Sequence, residues 1–189
     1  MSDSARPLVI SAPEPRTLDL SFTPPALERL RAKYRIVETT AQALDSLPDS
    51  ELAQARYIIG QPPIPPALLE RLKSLRCVFN VESNLIDNMP YETLFSRGIH
   101  VVTTGLVFAE PVAELGLAMA LNLARDIVDA DLAIRRGEEL WGGDGNARAR
   151  LLSGAEVGII GVGDLGKALN RLLSGFRTRT RVFDPCLPP

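Results

Sequence analysis

Three glycines spaced Gly161-x-Gly163-x-x-Gly166 follow directly on the apolar run Val157-Gly-Ile-Ile160. Residue types at that spacing can bring backbone N–H groups against a pyrophosphate. Gly161 would make the tight turn, Gly163 would let the backbone approach the phosphates, and Gly166 would let a helix pack closely on its strand. The helix start at Asp164 and Leu165 would add free N–H groups and a positive dipole end. Asp184 lies at the end of the next strand pattern, where a carboxylate can accept hydrogen bonds from ribose hydroxyls and repel a 2′-phosphate. The chemistry implied is dinucleotide binding, with NAD favoured over NADP. The plainer alternative is a glycine turn whose helix merely packs closely. Asp164 is dissonant, an acid in the first helical turn, and is expected to cap the helix and point away from phosphate.

The elements that position this turn read as an α/β alternation. Pro7–Ile10, Tyr34–Glu38, Ala55–Ile59, Arg76–Val81 and Ile99–Thr104 read as strands. Helices are expected after Thr23, whose hydroxyl could cap ahead of Pro24 and Pro25, over Ala41–Leu47, and along Leu68–Leu75. Pro-Pro-Ala-Leu occurs at both helix starts, a reused solution and not a repeat. Strands spaced by such helices favour a parallel sheet covered on both faces. Residues 1–105 are the expected first domain, and residues 106–189 a second. A long helix is expected from Glu110 to about Arg136, with Val112, Leu115, Met119, Leu123 and Ile127 in its apolar pattern, and more apolar surface than one core face needs. Gly137–Gly154 reads as a loop, Val157–Ile160 as a strand, Leu165–Leu173 as a helix and Thr180–Phe183 as a strand.

Composition narrows the class. The chain has 189 residues, 46% of them hydrophobic and 23% charged, with a net charge of -2, so it has the makings of a core and no basic field for nucleic acid or an anionic membrane. Cys77 and Cys186 are too few and too far apart for a disulfide framework, which fits a reducing, cytoplasmic setting. Met1–Pro7 is short and polar, and Glu114, Asn122, Arg125 and Asp126 interrupt Val112–Val128, which argues against a membrane span there.

The chain resembles the D-isomer-specific 2-hydroxyacid dehydrogenases over roughly residues 55–189. The resemblance is carried by Ile86-Asp87, Arg97–Thr104, Pro111–Leu115, Leu123-Ala-Arg125, Arg135-Arg-Gly137 and the glycine fingerprint through Asp184. It implies a flavodoxin-like parallel-sheet substrate domain followed by the opening βαβ portion of a Rossmann domain, with NAD as cofactor and a 2-hydroxy or 2-oxo acid as substrate. It also implies a homodimer through the helix after Glu110, and a place for Thr103, Thr104 and Val112 near the nicotinamide. The substrate loop departs from the family: where two glycines usually offer N–H groups to the substrate carboxylate, this chain has Asn80-Val81-Glu82-Ser83-Asn84. Glu82 reads either as solvent-facing or paired, or as a specificity device. The arginine, glutamate and histidine that such enzymes use for catalysis fall beyond the fingerprint. The sole histidine here, His100, reads as structural, and Arg97, Arg125 and Arg135 read as turn-flanking, helix-surface and helix-end charges. No catalytic residue and no metal ligand is assigned.

Only residues 167–189 follow the last fingerprint glycine, so an incomplete cofactor domain is the expectation. Too few strands follow Leu151 to bury both faces of a sheet, which predicts rapid amide exchange there and exposed apolar surface near the edge of the first domain. The leading reading is an NAD-dependent oxidoreductase. The alternatives are a non-catalytic NAD-sensing or dimerisation module, and an inactive truncated product.

Overall fold

The computed structural model describes residues 6–187. Most of the polar Met1–Pro7 stretch, and the last two prolines of the terminal stub, lie outside the described residues. The chain divides into two compact units, one ending at Thr104 and the next beginning at Gly105.

Unit 1 is built on a five-stranded sheet of β1 (Leu8–Ala12), β2 (Arg35–Glu38), β3 (Ala55–Gly60), β4 (Cys77–Phe79) and β5 (His100–Val102). The strand order is β2-β1-β3-β4-β5, and every pairing is parallel. This is the parallel sheet expected from the alternating pattern, and the flavodoxin-like domain that the family resemblance implies. Alternate residues of β1 serve opposite faces, as the twofold period of a strand requires. Leu8 and Ile10 join Ile58, Val78, Leu52, Leu68, Leu69 and Leu94 in one core, whereas Val9 joins Ile59, Leu18 and Leu27 in the other. The first core is covered by α3 (Asp49–Gln54), α4 (Pro66–Arg71) and α5 (Tyr91–Ser96), the second by α1 (Leu18–Ser21) and α2 (Pro24–Lys33). Phe79 and Val102 on the neighbouring strands β4 and β5 are exposed large apolar side chains.

Several local readings are corrected. Thr23 sits at the N-cap of α2 but makes no side-chain cap bond: Pro25 has no N–H to offer it, and Ala26 N–H donates to the Thr23 backbone carbonyl at 2.9 Å instead. Thr17 does cap α1, its hydroxyl oxygen accepting from Leu20 N–H at 3.3 Å. The helix expected over Ala41–Leu47 reduces to a single 3₁₀ turn, Leu44–Ser46. Leu47 precedes Pro48, which disfavours helical geometry, and its backbone is extended at φ -65, ψ 148. Helix α3 then starts afresh at Asp49. α4 ends at Arg71, short of the expected Leu75.

Unit 2 opens with α6 (Gly105–Arg125), followed by α7 (Ile127–Arg136), the single turn α8 (Gly142–Gly145), β6 (Glu156–Ile160), α9 (Asp164–Ser174) and β7 (Arg179–Phe183). The one long helix expected from Glu110 is therefore two. It starts earlier because Pro111 is accommodated inside α6, where the donor it lacks would have bonded a carbonyl at the exposed Val107. It breaks at Asp126, which takes left-handed geometry at φ 57, ψ 34. Arg148 donates to Asp126 and Asp129 at 2.7 and 2.9 Å, and Arg150 N–H satisfies the Ala124 carbonyl of the interrupted helix. The Gly137–Gly154 segment, read as a loop, holds α8.

Strands β6 and β7 pair in parallel with α9 as the crossover. Ala109 and Ala113 of α6 pack on Ala168 of α9, with Leu169 and Leu172 at the edges of the contact. The same helix leaves Leu106, Val107, Leu115, Met119 and Leu123 exposed, and no residue of α7 is buried. By length and composition α6 is long and apolar enough to cross a membrane, at mean hydropathy 1.5. Its Glu110 is paired with Arg171 of α9.

Gly60 ends β3 at φ 130, and a Cβ there would overlap the Ala12 carbonyl of β1. Gly98, at φ 69, has open space around it. Gly60→Ala is expected to lower the stability of unit 1 by about 2–3 kcal/mol in urea unfolding, against about 1 kcal/mol for Gly98→Ala. Equal losses would show that the close approach of the two strand ends is not a constraint.

Candidate functional site

In unit 2 the fingerprint forms a turn between β6 and α9. Gly161 takes φ 88, a region closed to most side chains, and its N–H extends the strand ladder by donating to Phe183 O at 2.8 Å. A Cβ on Gly166 would overlap the Gly161 carbonyl, so only glycine lets α9 approach its strand here. Around Gly163 there is no heavy atom within 4 Å of the position a Cβ would take, which leaves the space a phosphate would use. Gly163 is the N-cap of α9 and makes no side-chain cap. The first N–H groups of such a helix, here those of Asp164, Leu165 and Gly166, have no intrahelical acceptor.

Asp164 was expected to be the cap. It is instead the first helical residue, exposed, with its charge favourably placed against the helix dipole.

Asp184 does more than its position in sequence suggests. Its Oδ2 accepts from Val162 N–H at 2.6 Å and its Oδ1 from Cys186 N–H at 2.9 Å. The acid is thus a clasp on the glycine turn before any ligand arrives. These two N–H donors, Val162 first, hold its carboxyl below the ordinary carboxylate range, aided by Lys167. A carboxylate offers about four acceptor positions, so two remain for ribose hydroxyls. The turn, the space at Gly163 and this acceptor fit a dinucleotide.

Unit 1 gathers a second set of residues at the carboxyl ends of its strands, the edge at which open parallel sheets bind ligands. Asn80 N–H donates to Val102 O at 2.8 Å, and Thr104 N–H to Glu82 O at 3.2 Å, so the loop Asn80-Val81-Glu82-Ser83-Asn84 is pinned to the exit of β5. Gln61, after β3, donates to Asn84 O at 2.9 Å. Glu82 is paired: Arg16 Nε and Nη2 donate to its two oxygens at 3.2 and 3.4 Å. Ser11 Oγ, both side-chain amide atoms of Asn80, and Thr104 Oγ1 are buried with no hydrogen-bond partner among the described residues. Buried polar atoms are rarely left so, and three strand ends sharing the condition mark a place for a polar molecule. Thr103, Thr104, Asn80 and Val81 also border a cleft of about 460 Å³ walled by Tyr34, Tyr57 and Phe79.

Thr104 lies in unit 1 and Val112, exposed, in unit 2. His100 is exposed on β5, not a core histidine, and its backbone N–H bonds Arg76 O. Arg97 pairs with Glu70 at 3.2 Å and Arg135 with Asp131 at 2.8 Å. Arg16 and the turn-clasping bond of Asp184 escaped the sequence reading. Arg16 and Glu82 are far apart in the chain, and nothing local in either segment marks the pair.

Residues 117–189 match the model of the D-isomer specific 2-hydroxyacid dehydrogenase NAD binding domain. A glyoxylate/hydroxypyruvate reductase of Arabidopsis thaliana is 29% identical over 181 residues, which cover 93% of this chain and 54% of that protein. A glyoxylate reductase of Thermococcus litoralis is 36% identical over 96 residues, covering 48% of this chain and 28% of the relative. Among solved structures, a phosphoglycerate oxidoreductase from Rhizobium etli is 64% identical with TM-score 0.81, across 97% of this chain and 56% of that one. The chain spans about half the length of the first of these relatives and of the solved structure. The matched model is an NAD-binding domain, and NAD is the cofactor.

The lowered carboxyl of Asp184 fixes the sign of a pH effect. The clasp is complete above the unfolded carboxyl value of about 3.9 and is lost as pH falls through the lower folded value. Hydrogen exchange at Val162 should therefore stay slow relative to Gly163 down to that range, and Asp184→Ala should abolish the protection at every pH. Unchanged Val162 exchange in Asp184→Ala would remove the clasp.

Proposed function

Because the chain matches the D-isomer-specific 2-hydroxyacid dehydrogenase family through its NAD-binding domain, we propose that it serves NAD-dependent hydride transfer between nicotinamide and a 2-hydroxy or 2-oxo acid. The observation that carries the reading is the Gly161–Gly166 turn clasped by Asp184. Bound NAD supplies the two-electron chemistry; the protein supplies placement and electrostatics. Gly161, Gly163, Asp164, Leu165 and Gly166 would seat the pyrophosphate at the start of α9, and Asp184 would take the adenosine ribose. Thr104 and Val112 would border the nicotinamide. Loop 80–84 would receive the acid, with the unsatisfied Asn80 amide as a polar contact inside it.

The 189 residues are proposed to bind NAD weakly and to turn nothing over alone. Among the described residues unit 2 holds two strands, where a mononucleotide-binding half uses a βαβαβ run. A proton-transfer group must lie within hydrogen-bond reach of the substrate oxygen, and no described residue is assigned that role. A second reading, an NAD-responsive or dimerising module, is favoured by the exposed apolar face of α6 and α7, where Leu115, Met119, Leu123, Ile127 and Leu132 stand uncovered. A homodimer through that face belongs to both readings. A cytoplasmic setting, without nucleic acid or membrane partners, also belongs to both, supported by the two free cysteines.

Gly163→Ala separates binding from folding. Open space and φ -67 at Gly163 admit a methyl group, so folded stability should change by less than about 0.5 kcal/mol. NAD should shift the amide resonances of Val162, Asp164 and Leu165 in the native chain and leave them unmoved in the variant. Equal shifts in both would contradict a phosphate seat at Gly163. In parallel, NADH with a 2-oxo acid should show no oxidation. Turnover that disappears in His100→Ala would overturn the account of that histidine.

A further inference from the structure

We propose that Gln61 and Tyr91 are positioning residues that act from outside the substrate loop: they hold the carbonyls of Asn84 and Ile86, and so keep the N–H groups of Leu85 and Asp87 turned out for an anionic acid. The inference rests on the reading of loop 80–84 as the substrate loop and names what presents its donors.

The segment from Asn80 to Pro90 contains no glycine and lies outside every helix and strand, so contacts made elsewhere must fix its path. Alternate carbonyls supply them. Glu82 O accepts from Thr104 N–H at 3.2 Å, Asn84 O from Gln61 Nε2 at 2.9 Å, and Ile86 O from the Tyr91 hydroxyl at 2.7 Å. The three donors stand in three other places, the exit of β5, the exit of β3 and the start of α5. A trans peptide carries its N–H opposite its carbonyl, and no peptide bond of this segment is cis. Tying these carbonyls therefore turns the N–H groups of Ser83, Leu85 and Asp87 the other way. None of the three has an acceptor among the described residues, and residues 84–87 are exposed. Backbone donors left in this state suit a carboxylate, which only accepts.

The anchors are themselves braced. Tyr91 packs against the first core, with its ring centroid 6.2 Å from that of Phe95. Asn88 ties the loop after β4 to the loop after β3: its Nδ2 donates to Gln61 O and Pro62 O at 2.9 and 3.3 Å, and its carbonyl accepts from Ile64 N–H at 2.9 Å. Asn88 Oδ1, 3.0 Å from the Tyr91 hydroxyl, is a second acceptor for the same proton. Glycines would let a loop backbone approach a ligand closely; here side chains set the direction in which the backbone faces.

The test is an amide-shift titration of the whole 189-residue chain with glyoxylate, the smallest 2-oxo acid, read at residues 81–87 alongside urea unfolding. Gln61→Met keeps the side-chain length and loses the donor, and Tyr91→Phe loses only the hydroxyl. Each should weaken glyoxylate binding about fivefold, the worth of one hydrogen bond, and lower the backbone order parameter at Leu85 or Asp87. Gln61→Glu adds a pH profile, because its carboxylate has no proton to donate and its protonated form donates again. Binding by that variant should be weak at neutral pH and recover toward the native value as pH falls through about 4.3. The charged groups Arg16, Glu82 and Asp87 are common to both proteins, so the native chain over the same range gives the baseline. A merely structural role would lower stability without that recovery. Native affinity in Gln61→Met and Tyr91→Phe, or a Gln61→Glu chain that stays weak on acidification, would overturn the inference and leave the substrate-loop reading standing. Should Tyr91→Phe not fold, the two Gln61 variants decide. No loop shift in the native chain would overturn both.

Discussion

Parallel pairing of every strand is the constraint on which the rest depends. All four pairings in unit 1 and the single pairing in unit 2 run the same way, so each strand must be followed by a crossover and each unit has one edge where all exits meet. At that edge of unit 1, Arg16, Gln61, Glu82 and Thr104 come from four different strand exits and bond one another or the same loop. At that edge of unit 2, the fingerprint turn after β6 meets Asp184 after β7. Gly60 shows how tightly the arrangement is drawn, since β1 and β3 approach so closely at their ends that no side chain fits between them.

Three carboxylates stand where anions are proposed to bind, and their compensation differs. Arg16 neutralises Glu82 by a side-chain pair. Asp184 is stabilised by two backbone N–H groups, so its charge persists while its field is partly met. Asp164 stands in the first turn of α9, where the helix dipole favours it. These arrangements explain how a chain of slight negative charge can offer seats to anionic molecules without a basic field. Compensation is local, made of paired groups and oriented backbone.

What could be read from the sequence was what depends on local spacing. The period of the strands, the double-proline helix starts and the Gly161–Gly166 turn all express short-range geometry, and each corresponds to an element of the fold. Boundaries failed where a distant group decided them. Arg148 and Arg150 stabilise the break at Asp126 from more than a helix length away in sequence, so the apolar pattern ran on unbroken. Pro48 ended a helix that the apolar pattern alone extended through Leu47. In the candidate site the glycines were legible because their role is conformational. The partner of Glu82 and the orphaned amide of Asn80 were not, since both are products of strands brought side by side.

The central claim is that unit 2 presents a preformed seat for NAD, with Asp184 facing the adenosine ribose. Measuring the affinity of the chain for NAD and for NADP tests it most directly, because the two differ only in the 2′-phosphate that a carboxylate repels. The account predicts NAD binding at least about tenfold tighter, with the preference shrinking in Asp184→Asn. Equal affinities, or tighter NADP binding by the native chain, would contradict it.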